Sequence, residues 1–227
     1  MLKGKTALIT GASGGLGTSI ALALAAKGCN LVLCGRNIAN LKNLKNHISD
    51  VDVQIAPGDL KDWSYVKHLT LYDVDILVNN AGIFPIKTLA ESTDQDYKDC
   101  FAVNVYAPFV LSRDLGRKMT QQRWGRIVNI GSSSSYNGSG ETGLYCASKH
   151  ALLGLSRSLF QEYRDSGVRV YSVSPGSIQT PMGATDTRQD YSTFINPDEV
   201  AEYVGFILSY ENEMISEEIR LNRWEIR

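Results

Sequence analysis

Short runs of β-branched and aliphatic residues alternate with longer segments of helical period along the whole chain. The predicted strands span residues 6–10, 31–34, 52–56, 75–79, 126–130 and 169–173, with a further edge strand at 218–221. The first predicted helix ends near residue 27, and the next two cover 38–48 and 63–69. A long helix runs from 93, with one bend, towards 119. The last two run from after residue 145 to about 164 and from 196 to about 210. Strands of this length joined by crossover helices form right-handed parallel units. The order therefore predicts an α/β fold, a doubly wound parallel sheet of about seven strands with helices on both faces.

Composition limits the domain count and the classes of partner. No Pro/Gly/Ser-rich linker or internal repeat divides the 227 residues, so we expect a single domain over 1–227. Lys and Arg total 23 against 24 Asp and Glu, and this balance argues against nucleic acid as the main partner. We expect no membrane span and no signal peptide, because the longest helical apolar stretch covers only residues 20–26. The cysteines have no metal-binding spacing, so we expect free thiols, no bound metal and a cytoplasmic location.

A glycine-rich turn, Thr10-Gly11-Ala12-Ser13-Gly14-Gly15-Leu16-Gly17, joins the first strand to the first helix. Glycines let a backbone turn sharply and approach a pyrophosphate, and the free amides at the following helix start supply donors. A tight strand-to-helix connection without a ligand is the alternative. The position of the turn after the first strand favours a dinucleotide site.

The end of the second strand indicates which dinucleotide would bind. An acidic residue there would accept from a ribose 2′-hydroxyl, but this chain has Gly35-Arg36-Asn37. The guanidinium of Arg36 suits a 2′-phosphate, so NADP(H) is the preferred cofactor and NAD(H) remains possible. Arg36 as a solvated surface cation is the alternative.

Three residues form a coherent catalytic set. Tyr145 and Lys149 are four residues apart in a segment of helical period, so both project from one face. Ser132 directly follows the fifth strand, at the sheet edge where open α/β folds bind ligands. Lys149 can stabilise a Tyr145 phenolate, and Ser132 can hydrogen-bond a substrate oxygen as charge develops on it.

These motifs resemble the classical short-chain dehydrogenase/reductase family across essentially the whole chain. The resemblance rests on six motifs in the family's order: Thr10-Gly11-x-x-x-Gly15-x-Gly17, Asp59-Leu60, Asn79-Asn80-Ala81-Gly82, Val103-Asn104-Val105, Ser132 with Tyr145-Cys146-Ala147-Ser148-Lys149, and Pro175-Gly176 through Thr180. It implies a Rossmann fold and hydride transfer between NADP(H) and a small carbonyl or secondary alcohol.

The resemblance also implies residue roles. Tyr145 would be the general acid/base, Lys149 would bind the nicotinamide ribose, and Asn104 would connect that ribose to solvent through a water. Asp59 would contact the adenine. Further cofactor-binding residues implied in this way are Gly11, Ser13, Gly15, Leu16, Gly17, Leu60, Asn80, Ala81, Gly82, Ile130, Pro175, Gly176, Ile178 and Thr180. An ordinary helix-break asparagine is the alternative for Asn104.

The chain departs from the family near its end. Many members close a tetramer interface with a Val-Asp-Gly-Gly-like segment, whereas this sequence has residues 214–224 of different composition. We therefore expect a homo-oligomer, a dimer through the helices after Thr93 and Tyr145, and the usual tetramer contact is in question.

Substrate identity should depend on the loops at 133–142 and 182–195. Hydroxyls and amides in the first loop favour a polar substrate, whereas the second loop is either a specificity element or simply a mobile lid. A non-catalytic NADP(H)-binding sensor or scaffold is the alternative function, and the intact Ser132, Tyr145 and Lys149 set argues against it. A nucleotide-sugar epimerase or dehydratase is disfavoured because no substrate domain follows the sixth strand.

Overall fold

The computed structural model describes residues 2–224, and the ends of the predicted 1–227 domain lie outside this range. Its centre is a seven-stranded sheet in which every neighbouring pair is parallel, in the order β3-β2-β1-β4-β5-β6-β7. The strands are β1 Thr6–Thr10, β2 Asn30–Gly35, β3 Val53–Pro57, β4 Ile76–Asn79, β5 Gly125–Ile130, β6 Val168–Pro175 and β7 Glu218–Leu221. The predicted α/β class is confirmed, including the edge strand β7.

Helices cover both faces of this sheet. They are α1 Leu16–Ala26, α2 Ile38–Asn46, α3 Trp63–Leu69, α4 Asp94–Phe101, α5 Ala107–Gln122, α6 Gly143–Tyr163 and α7 Pro197–Ser209. One apolar core joins the sheet to α1, α2 and α7, and a second joins the opposite face to α3, α5 and α6. The strands read as continuous apolar runs because both of their faces are buried.

The strand order reverses between β1 and β4, where successive crossovers turn to opposite sides. Parallel α/β sheets bind ligands in the crevice outside the carboxyl ends of their strands at such a point. The glycine-rich turn follows β1 and the Asn80-Ala81-Gly82 segment follows β4, so the topology places these two motifs side by side.

Helix starts follow their predicted caps. The Thr93 and Asp96 side chains form a capping box at α4, and the Asn196 side chain accepts from the Asp198 amide at α7. The predicted bend after α4 is a π-helical turn over Ala102–Tyr106 that contains Asn104. One boundary was wrong: α6 begins at Gly143, so Tyr145 lies inside its first turn rather than before it.

Within residues 2–224, no helix combines the length and apolar character that crossing a bilayer requires.

Candidate active site

A cavity of about 760 Å³ opens along the carboxyl ends of the strands. This volume lies in the usual range for small-molecule and cofactor sites. Every predicted site residue except Gly17 and Asn104 lines it. The structure thus brings the glycine-rich turn, the Asp59-Leu60 pair, the catalytic set and the loop after β6 together around one space.

The glycine-rich turn forms a cradle that larger residues would fill. A Cβ atom at Gly17 would lie 2.2 Å from the carbonyl oxygen of Gly11, so Gly17 packs behind the turn instead of facing the cavity. Gly11 and Gly15 both have positive φ, at 69° and 51°. A Cβ at Gly11 would be 2.9 Å from the Cα of Ala81. The backbone can therefore approach a pyrophosphate closely, and the residues fit a dinucleotide.

Hydrogen bonds to Thr10 connect the turn after β4 to the end of β1. Its buried Oγ1 accepts from the amides of Asn80 and Ala81 at 3.0 and 3.1 Å. The side chain of Asn80 in turn donates to the Thr10 carbonyl at 2.9 Å. This small network fixes the Asn-Asn-Ala-Gly segment against the glycine-rich turn, a role for Thr10 that the sequence analysis did not assign.

Arg36 is exposed at the rim of the cavity, beyond the carboxyl end of β2. None of the ion pairs between residues of the described chain involves Arg36. Lys61 lines the same cavity and is a second cation that the sequence analysis missed. Its Nζ is 3.2 Å from the carboxylate of Asp99, so Lys61 is partly neutralised.

Tyr145 projects from the first turn of α6 into the cavity, and its ring meets Phe84 edge to face at 4.6 Å between centroids. Burial raises the pKa of Tyr145 to about 12, while the nearby Ser132 hydroxyl acts in the opposite direction. The resting side chain is therefore a neutral phenol at physiological pH. Ser132 itself is held by the Ser134 amide, which donates to its Oγ at 3.1 Å.

Lys149 lies one turn further along α6 and is 4% exposed. Its Nζ donates to the carbonyl oxygen of Ile130 at 2.8 Å and lies 5.7 Å from the centroid of the Tyr145 ring. Burial lowers the pKa of Lys149 to about 8. The cation therefore faces the phenol but titrates closer to neutrality than an exposed lysine would.

Asn104 is fully buried behind the cavity wall rather than in it. Its Oδ1 accepts from the Ile83 amide at 2.9 Å, and its Nδ2 donates to the Ile83 carbonyl and to the Ser148 hydroxyl, both at 3.0 Å. A Cβ at Gly82 would lie 3.5 Å from this Oδ1 and 3.8 Å from the Lys149 Nζ. The side chain is thus close to Lys149, and one lone pair of its oxygen is free for a further donor.

The cavity wall near Ser132 and the two loops predicted to contact substrate contains both polar and apolar side chains. Ser132, Ser133 and Ser134 contribute hydroxyls, whereas Ser135 is 1% exposed and bonds the Ser132 amide. Apolar side chains line the same cavity: Met182 and Phe194 belong to the predicted 182–195 loop, whereas Phe84, which follows β4, was missed. No periodic pattern in the sequence marks Phe84.

The loop after β6 has several side-chain contacts, both within itself and with other parts of the chain. The Asp186 carboxylate receives two hydrogen bonds from the Arg188 guanidinium, at 2.7 and 3.0 Å, and one from Gln189 at 2.9 Å. Arg188 also pairs with Glu141 of the loop after β5. Arg223 donates to Gln189 and Thr193 at 2.8 and 3.0 Å. This loop therefore has a defined shape over the cavity.

Comparison with known proteins agrees with the geometry. Residues 5–191 match the family model described as short chain dehydrogenase. The chain belongs to the short-chain dehydrogenase/reductase family. Members of this family are oxidoreductases, and the glycine cradle and the Tyr145-x-x-x-Lys149 pair are its motifs in this chain.

Relatives within the short-chain dehydrogenase/reductase family have different described activities. A 3-oxoacyl-(acyl-carrier-protein) reductase FabG from Rickettsia bellii is 34% identical over 228 residues, which cover 95% of this chain and 93% of the relative. A structure described as a candidate NAD(P)-dependent gluconate 5-dehydrogenase from Beutenbergia cavernae, with bound NADP, has a TM-score of 0.89 at 29% identity and covers 97% and 95% of the two chains. A 4-hydroxyisoleucine dehydrogenase complexed with NADH has a TM-score of 0.86 at 26% identity, covering 96% and 97%.

Proposed function

We propose that this protein is an NADP(H)-dependent reductase that converts a carbonyl to a secondary alcohol, with Tyr145 as the general acid. The observation that supports this most directly is that Ser132 and the neutral Tyr145 phenol line one cavity, beside the glycine cradle. A bound nicotinamide cofactor supplies the hydride in this chemistry. A neutral phenol is the protonation state that carbonyl reduction needs, because the substrate oxygen must gain a proton.

Each polar side chain of the set would have a distinct task. The Ser132 hydroxyl donates to the carbonyl oxygen and holds it beside Tyr145 as negative charge develops. The Tyr145 Oη–H then transfers its proton to that oxygen. The Lys149 ammonium stabilises the phenolate that remains, since a nearby positive charge favours the ionised form. Asn104 fixes the segment around Ile83 and has a lone pair to hold a water close to Lys149.

The preference for NADP(H) over NAD(H) rests on the rim of the cavity. No acidic residue occupies 35–37, and the Arg36 guanidinium is available for a 2′-phosphate. Lys61 adds positive charge to the same cavity, although Asp99 holds it. The solved relatives include complexes with NADP and with NADH.

For the substrate we propose a 3-oxoacyl thioester. Its carbonyl would meet the hydroxyls of Ser132 and Ser133, and its acyl chain would pack against Phe84, Met182 and Phe194. The described activity of the Rickettsia bellii relative supports this choice. A polar hydroxy-acid or sugar-type ketone is the second candidate, because Ser134 and Ser139 also line the cavity.

Two additional features stay predictions: a cytoplasmic location, and assembly as a homodimer through the helices that begin near Thr93 and Tyr145. Sedimentation velocity of the purified protein would measure the assembly.

The experiment is a comparison of substrates by loss of NADPH absorbance. Acetoacetyl-coenzyme A, a soluble 3-oxoacyl thioester, should be reduced with a higher kcat/KM than 5-ketogluconate. The matched control is Tyr145→Phe, which removes only the phenolic hydroxyl and should bind NADPH normally while losing nearly all turnover. Turnover of 5-ketogluconate alone would replace the substrate proposal. NADPH binding by the natural protein with no turnover of any carbonyl would favour the sensor or scaffold alternative.

A further inference from the structure

A second cavity, of about 270 Å³, lies at the opposite edge of the sheet, where β5 and β6 begin. Its lining residues are Trp124, Arg126, Arg164, Gly167, Val168, Arg169 and Glu211. Three of these residues are arginines and one is a glutamate, so the local charge is positive. The proposed chemistry uses none of them.

Arg126 is unusually buried for a cation, at 3% exposure. Its Nη1 donates to the Gly125 carbonyl at 2.9 Å, but its buried Nε has no hydrogen-bond partner among the described residues. The nearest carboxylate, Glu211, is 4.0 Å from Nη2 and has a side chain that is 45% exposed. A buried guanidinium costs free energy unless it is paired and hydrogen-bonded, and this distant partner compensates poorly.

A neighbouring cation increases this cost. Arg169 is the register partner of Arg126 on β6, so both side chains leave the same face of the sheet. Burial and the charge of Arg169 both lower the pKa of Arg126. Arg169 is already occupied, because its guanidinium donates to the carbonyls of Tyr210 and Asn212. Arg126 is therefore the residue with unused donor capacity.

Trp124 and Arg164 contribute to the same cavity in different ways. The centroid of the Trp124 ring lies 4.4 Å from the Arg126 guanidinium carbon and 4.1 Å from the Lys5 ammonium. The contact with the aromatic ring helps to hold the guanidinium in place. Arg164 is 54% exposed on its side chain, and its polar side-chain contacts within residues 2–224 are a hydrogen bond to Gln161 at 3.2 Å and a 3.8 Å ion pair with Asp165. Such exposed contacts are weak, so Arg164 can turn towards a ligand at little cost.

We propose that this cavity is an oxyanion site that takes a carboxylate or a phosphoryl group between Arg126 and Arg164. The planar guanidinium of arginine matches the geometry of both groups. A buried anion would supply the close negative counter-charge that Arg126 lacks. Glu211 competes for the same guanidinium and limits the affinity. The proposal is independent of the proposed activity, because the site lies at the other end of β5 and β6.

The test is the rise in thermal midpoint of the purified full-length protein during separate titrations with inorganic phosphate and succinate. Chloride keeps the ionic strength constant, and a ligand of the native state raises the midpoint saturably. Arg164→Gln should weaken binding by about tenfold, the effect of losing one charge-assisted hydrogen bond. Glu211→Gln should tighten it several-fold. Both positions are exposed, so neither variant should endanger folding.

Two controls locate the binding. Arg117→Gln removes an exposed arginine of α5 and should leave the response unchanged. Arg36→Ala removes a cation at the cofactor end of the molecule, and binding at the arginine cavity should persist in this variant. A response to phosphate, to succinate or to both that persists in Arg36→Ala and weakens in Arg164→Gln would support the site and identify its ligand group. A midpoint no higher than in chloride, or Arg164→Gln and Glu211→Gln variants that respond like the natural protein, would overturn the proposal.

Discussion

Lys149 is anchored by the strand that ends beside it: its Nζ donates to the Ile130 carbonyl oxygen at 2.8 Å. Ile130 is the last residue of β5, and Ser132 follows two positions later. The same strand end thus positions both the ammonium and the serine hydroxyl in the cavity that Tyr145 enters. Because Lys149 is buried, its pKa falls to about 8, and its charge is lost as pH rises through that value.

We expect kcat/KM for carbonyl reduction to fall above pH about 8, as Lys149 loses its proton and no longer stabilises the phenolate. Tyr145 itself stays protonated over this range, since its pKa is raised to about 12. The measurement is a pH profile of NADPH oxidation under kcat/KM conditions, which reports ionisations of the free enzyme.

Lys149→Arg is the control for this assignment, because a guanidinium keeps its charge at all accessible pH values. Its remaining activity should be lower, since the planar group cannot reproduce the bond to Ile130, but should show no decline between pH 7 and 9. A decline at the same pH in the variant would assign the ionisation to another group.

Arg36→Ala should weaken NADPH binding by about ten- to a hundredfold, the effect of losing hydrogen bonds to a charged phosphate. NADH binding should change by less than about twofold, because NADH has no 2′-phosphate for Arg36 to contact. Lys61→Ala is the comparison, with a smaller effect expected because Asp99 already engages this lysine. Fluorescence titration of the natural protein and both variants with each cofactor measures the six affinities. Equal losses for NADPH and NADH would make Arg36 an ordinary surface charge.

The sequence predicted the sheet well because periodicity and turn chemistry are local. Strand β1 and the cap at Asn196 follow from residues that are neighbours in the chain. The position of Asn80-Ala81-Gly82 at the end of β4 likewise follows from the apolar run that directly precedes it.

Features that depend on distant partners could not be predicted. The bond from Lys149 to Ile130 joins residues 19 positions apart. The rise in the Tyr145 pKa depends on how deeply the ring is buried, which no spacing reports. Phe84 and Phe194 meet in one cavity only because separate loops converge there. The start of α6 before Tyr145 was missed because Gly143 is a weak helix former whose position tertiary contacts decide.

Thr10→Val should destabilise the fold by about 1–3 kcal/mol, because the amides of Asn80 and Ala81 lose their common acceptor while remaining largely out of water. Valine has nearly the shape of threonine, so packing should change little. Thr10→Ser keeps the oxygen and is the matched control. Urea unfolding midpoints compare the variants, and NADPH affinity should fall in parallel. If the valine variant proved as stable as the serine variant, the network would have no part in holding the turn.

Arg188, in the loop after β6, forms one ion pair with a buried carboxylate and one with an exposed carboxylate. Arg188 pairs with Asp186, which is 8% exposed, and with Glu141, which is 58% exposed on its side chain. Exposed ion pairs contribute little because water screens them, whereas Asp186 shapes the loop through bonds to Arg188 and Gln189. Asp186→Asn should therefore raise KM several-fold with a smaller change in kcat, and Glu141→Gln should change KM by less than about twofold. Steady-state kinetics at two salt concentrations separates the cases, since only the Glu141 contact should weaken with salt. A larger effect from Glu141→Gln would mean that the bridge between the two loops, not the internal structure of one, sets access to the cavity.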